Sequence, residues 1–117
     1  MNAEDAPSAG HSCHVSKMLG CIASQYQQDL SLETMADITG LHPNYISQLF
    51  KRETGVSFIH YLQEYRVEKA KEILVQHPSL SVQVVGNQVG YENPQHFMKV
   101  FKKLTGMTPG TYRGQKE

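Results

Sequence analysis

One passage of this chain is written twice. GLHPNYISQLFKRETG, residues 40–55, returns as GYENPQHFMKVFKKLTG, residues 90–106. Ser31 and Ser81 stand 50 residues apart, as do Gly40 and Gly90; beyond them the offset becomes 51, because the second turn holds one more residue. At that offset Pro43/Pro94, Phe50/Phe101, Lys51/Lys102, Thr54/Thr105, Gly55/Gly106 and Tyr61/Tyr112 are identical. Ile46/Phe97, Leu49/Val100, Arg52/Lys103, Val56/Met107 and Ser57/Thr108 keep their character. A fixed period of this kind marks the duplication of a small structural unit. A chain of 117 residues has room for two such units and little more.

The units read as helices. No turn dipeptide separates two β-branched runs, as a hairpin would require. Met18, Ile22 and Tyr26, spaced by four, predict a first helix over residues 17–28. Ser31 is placed to cap a short helix that Gly40, suited to a left-handed backbone, would stop. Pro43 opens a helix that buries Ile46, Leu49 and Phe50 and ends at Gly55. Ser57 caps a long helix with Phe58, Leu62, Tyr65, Ala70, Ile73 and Leu74 on its inner stripe, closed by Pro78. Ser81, Gly90, Pro94 and Gly106 then repeat the pattern. The expected organisation is all-α: a flexible leader (1–16), a first helix-turn-helix subdomain (17–56), a linker helix (57–76) and a second subdomain (77–117).

Composition narrows the function classes. The formal charge is zero, but residues 1–40 carry one base against five acids and residues 41–117 ten bases against six acids. An acidic front and a basic back permit a nucleic-acid partner. No apolar run approaches the roughly 20 residues that span a bilayer, and residues 1–17 lack the apolar core of a secretory signal, so the chain is expected in the cytoplasm. His11, Cys13, His14 and Cys21 match no zinc spacing, so neither a metal nor another cofactor is expected. No nucleophile–base pair or phosphate-cradling loop suggests an enzyme.

Each copy has the outline of a helix-turn-helix: a short helix, a turn with glycine and a second amphipathic helix. Ala36 and Gly86 occupy matching small positions where the two helices would cross. The outer face of the second helix carries Asn44, Ser47, Gln48 and Lys51 in one copy, and Gln95, His96, Lys99 and Lys102 in the other. Asn and Gln suit adenine edges, and Lys suits guanine acceptors or phosphate. Lys51, Arg52, Lys102 and Lys103, at the helix ends, suit phosphate. Phe50, Phe101, Tyr61 and Tyr112 read as packing residues, Arg66 as a paired structural cation, and His42, His60 and His77 as surface or packing positions. The linker helix, about 18 residues at roughly 1.5 Å each, spans on the order of 27 Å. That is close to the ~34 Å recurrence of the major groove, so two recognition helices could enter successive grooves. The competing reading is a protein-interaction module whose helix-turn-helix units no longer bind DNA.

NYISQLFKRETG, YLQEYRVEKAKEILV and above all VGYENPQHFMKVFKKLTGMTPGTYR resemble the DNA-binding domain of the AraC/XylS family of bacterial transcription regulators. The resemblance covers roughly residues 17–113. It implies seven helices, two homeodomain-like helix-turn-helix units joined by the long helix, and promoter binding, usually to activate transcription through RNA polymerase. The family's base-reading positions fall on Asn44, Ser47, Gln48, Gln95, His96 and Lys99. Gln48 stands where many members carry arginine, so a guanine contact is not implied there. Gly86 stands where alanine is usual, which is expected to loosen its helix by up to about 1 kcal/mol. Most members also carry a sensing or dimerisation domain, for which 117 residues leave no room, so the chain is expected to be either a stand-alone regulator or, in preference, the C-terminal part of a larger one. YLQEYRVEKAKEIL most resembles members fused to receiver domains.

Overall fold

The computed structural model describes residues 12–116. Those residues form seven helices and no strand: α1 (Cys13–Gln25), α2 (Leu32–Thr39), α3 (Pro43–Thr54), α4 (Phe58–Gln76), α5 (Val82–Gln88), α6 (Pro94–Thr105) and α7 (Pro109–Lys116). They divide into two compact units. The first holds α1, α2, α3 and the opening of α4; the second holds the rest of α4 with α5, α6 and α7, together with residues 26–29.

In the first unit, α1, α2 and α3 bury Val15, Met18, Ile22, Met35, Ile46 and Phe50, all fully shielded from solvent. The Ser31 hydroxyl accepts the Thr34 N–H at 3.2 Å, a cap worth about 1 kcal/mol. Phe50 meets Phe58 and Tyr61 edge-on, with ring centroids 5.9 and 5.5 Å apart, so Tyr61 packs behind α3 as expected.

In the second unit, Val67, Ala70, Leu74, Val85, Val89, Tyr91, Phe97, Val100 and Phe101 form the core. The Ser81 hydroxyl caps α5 through the Val84 N–H at 3.1 Å. Tyr112 packs on Phe101 at 5.7 Å, the counterpart of Tyr61 on Phe50. The duplication extends to single atoms. The Thr54 hydroxyl lies 2.9 Å from the Phe50 carbonyl and accepts the Val56 N–H at 3.3 Å; Thr105 repeats this with Phe101 at 2.8 Å and Met107 at 3.3 Å.

Four expectations are corrected. The helix predicted over 17–28 begins at Cys13 and ends at Gln25. Residues 1–11 of the expected leader lie outside the described residues, but residues 12–16 are tied down: Ser12 accepts the Val15 N–H and donates its own N–H to Glu53 Oε1 at 2.6 Å. Tyr26 lies beyond the helix, where its carbonyl accepts the Arg66 Nε–H at 2.8 Å. His42 is exposed, as expected of a surface position, and also serves as the N-cap of α3, its Nδ1 accepting the Asn44 N–H at 3.1 Å.

The third concerns Gly86, expected only to loosen its helix, which also answers a packing need. A Cβ there would lie 2.8 Å from Cδ2 of Phe97, so glycine makes room for a ring where the first unit has the smaller Ile46. Fourth, Gly90 is not the equivalent stop to Gly40. Gly40 caps α2 directly, whereas α5 is capped by Val89 and Gly90 follows with φ 109. A Cβ at Gly90 would stand 2.9 Å from the Arg66 guanidinium and from the Tyr26 carbonyl, so both the conformation and the space require glycine.

Candidate nucleic-acid interface

Each recognition helix is fixed at its start by a side chain one residue before proline. His42 covers one N–H of α3; Asn93 Oδ1 covers two of α6, Gln95 at 2.9 Å and His96 at 3.3 Å. Pro43 and Pro94 occupy the first turn, where a missing N–H costs nothing. Both helices end at left-handed glycines, Gly55 and Gly106, with Lys51 and Arg52, or Lys102 and Lys103, in the last turn, where cations favour the carbonyl end of the helix dipole.

The inner sides are sealed: Ile46, Leu49 and Phe50, like Phe97, Val100 and Phe101, are at most 6% exposed. The outer sides place Asn44, Gln48, Lys51 and Arg52 in solvent on α3, and Gln95, His96, Lys99, Lys102 and Lys103 on α6. Ser47 is half-buried. Within each helix the candidate residues therefore share a face, Ser47 sitting lower than the rest. Two exposed side chains beside them were missed by looking for polar letters: Tyr45, 51% exposed, and Met98, 41% exposed. At the 51-residue offset Tyr45 matches His96, and Met98 matches Ser47.

The cations fall into two groups. Arg66, 9% exposed, donates from Nε to the Tyr26 carbonyl and from Nη2 to the Gln28 carbonyl at 2.7 Å, and lies 5.2 Å from the centroid of the Tyr91 ring. It is structural, as expected, but its partners are carbonyls and a ring rather than a carboxylate. Arg113 does the same at the end of α4, donating to the Leu74 and His77 carbonyls at 3.0 and 3.3 Å. Lys71 pairs with Glu68 at 2.9 Å, and Lys69 lies over Tyr65. By contrast the side chains of Lys51, Arg52, Lys99, Lys102 and Lys103 have neither ion pair nor hydrogen bond among the described residues.

Tyr91, another residue that sequence reasoning missed, supports the start of α6. Its ring meets His96 edge-on at 5.3 Å and Phe97 at 5.6 Å. Burial pushes the Tyr91 phenol above its ordinary pKa, with the Arg66 charge opposing. A polar cleft of about 560 Å³ opens beside it, lined by Gln27, Asp29, Asn87, Glu92, Asn93 and His96 among others. Among the described residues no cluster of His, Cys, Asp and Glu could hold a metal ion, and no helix is long and apolar enough to cross a membrane.

Paired helix-turn-helix units, each turning an open polar and basic helix face to solvent, define the class of a nucleic-acid-binding module. Comparison with known proteins gives the family. Residues 35–115 match a family described as a helix-turn-helix domain. The chain is 39% identical over 95 residues to the HTH-type transcriptional regulator YtdP of Bacillus subtilis, covering 81% of this chain and 12% of that protein. The C-terminal domain of AraT, a response regulator from Geobacillus stearothermophilus, is 35% identical with a TM-score of 0.88, covering 92% of this chain and 88% of that one. The DNA-binding domain of AdpA, solved in complex with a target DNA, shares the fold at 21% identity and a TM-score of 0.83, covering 89% of this chain and 93% of that one. The chain belongs to the AraC-type helix-turn-helix family of transcription regulators.

Proposed function

We propose that this chain is the DNA-binding part of a larger bacterial transcription regulator and binds promoter duplex through the outer faces of α3 and α6. One observation carries the reading: among residues 12–114, the lysine and arginine side chains without a partner are Lys17 on α1 and the five on those two helices. Lys51, Arg52, Lys102 and Lys103 contact phosphate and set position, while Asn44, Ser47, Gln48, Gln95, His96 and Lys99 meet base edges. The AdpA domain, which has the same fold, holds a target DNA. Helix α4, at 19 residues about 28 Å long, is of a length that suits entry into successive major grooves.

The chain spans 12% of YtdP, which supports placing sensing and dimerisation in other parts of a longer protein. The likeness to AraT, a response regulator, favours phosphorylation as the signal. Contact with RNA polymerase in the cytoplasm completes the reading of an activator. Titrating a labelled duplex at several salt concentrations tests the core of it. The four cations assigned to phosphate predict a slope of log K against log salt of about −3.5. Absence of binding to any duplex at low salt would contradict it.

A further inference from the structure

We infer that Met98 is a base-reading residue of the second unit, and that it reads the C5-methyl group of thymine in the major groove. The inference rests on the DNA-binding reading above and adds a contact of a different chemistry to it.

The observation is an exposed apolar side chain on the outer face of a recognition helix. Helix α6 is strictly partitioned, with Phe97 and Phe101 fully buried and Val100 at 6%. Met98 lies outside that stripe and is 41% exposed. Its neighbours one turn away are Gln95, three residues before, and Lys102, four residues after, both on the solvent face. The duplication gives an independent indication. Met98 stands 51 residues after Ser47, so the two units place different chemistry at one position of the same helix.

Serine can hydrogen-bond to any base, whereas a thioether offers a groove nothing but an apolar, polarizable surface. The apolar feature of the major-groove floor is the thymine methyl group. Met98 would therefore select thymine by excluding water from that methyl, and the first unit would lack this selection. Met is unbranched and flexible, so the contact tolerates small differences in approach.

The test is a thymine-to-deoxyuridine scan on the duplex that the 117-residue chain selects from a random library. Deoxyuridine keeps every hydrogen-bonding group and removes only the methyl. For the unaltered chain one substitution in the second half-site should weaken binding about threefold to fivefold, the worth of one buried methyl group. Met98→Ala should bind the thymine and deoxyuridine duplexes alike, and Met98→Leu should keep part of the preference. Because Met98 is exposed, folding of both variants is checked by unchanged helical circular dichroism. If the unaltered chain binds but tolerates deoxyuridine everywhere, or Met98→Ala keeps the full preference, the inference is overturned. Failure to select any duplex would instead overturn the DNA-binding reading itself.

Discussion

Where the first unit has Ala36 and Ile46, the second has Gly86 and Phe97, and the two substitutions make sense only together. The aromatic ring occupies the space that a Cβ at position 86 would need, so the methyl lost from one helix is the volume gained by the other. Close-packed interiors permit such exchanges when total volume is kept. The outer faces differ without any such constraint. α3 offers Asn44, Tyr45, Ser47 and Gln48 with no cation before Lys51, whereas α6 offers Gln95, His96, Met98 and Lys99. Duplicated cores that stay equivalent while their exposed faces diverge fit two recognition helices reading different sequences.

The largest loss is expected at Arg66, within the second unit. Arg66→Met leaves the Tyr26 and Gln28 carbonyls without their donors and should cost roughly 3 kcal/mol in urea denaturation. Arg113→Met, at a half-exposed counterpart, should cost about 1 kcal/mol. Equal losses would remove the distinction between a buried clamp and a surface cap.

Next in size is the exchanged pair. Gly86→Ala alone should destabilise by about 2 kcal/mol through overpacking against Phe97. Adding Phe97→Ile should recover at least half of that loss, whereas two additive losses would mean the ring does not set the requirement for glycine.

Discrimination among bases comes third. Lys99→Ala should reduce preference for the selected base at one position by about 1.5 kcal/mol. Lys102→Ala should weaken every duplex alike and flatten the salt slope by about one unit. The smallest effects concern the caps. Asn93→Ala, losing two acceptor contacts, should cost about 1 kcal/mol, and His42→Ala about half as much, both read from thermal unfolding.

The duplication, both serine caps and the inward sides of α3 and α6 were legible in the sequence because each depends on neighbours within a turn or on a fixed offset. What escaped depends on distant partners. The start of α1 is set by Glu53, 41 residues from Ser12, and the Tyr26–Gln28 segment by Arg66, some 40 residues on. Gly86 was misjudged because propensity was weighed in place of space, and the space is defined by a ring eleven positions away. His42 is seldom a capping residue, so nothing local announced it. Five of the six candidate base contacts are open to solvent, Ser47 less so, as a period of 3.6 predicts. Met98 and Tyr91 were passed over because an apolar letter on a polar face, and an aromatic in a turn, have no periodic signature.

Both recognition helices are proposed to meet one duplex. Sequencing the duplexes that the chain retains from a random library tests it most directly. Two enriched blocks of different sequence are expected, with centres about 10 base pairs apart, one groove repeat. No enrichment over the input library, or a single block with random flanks, would contradict it.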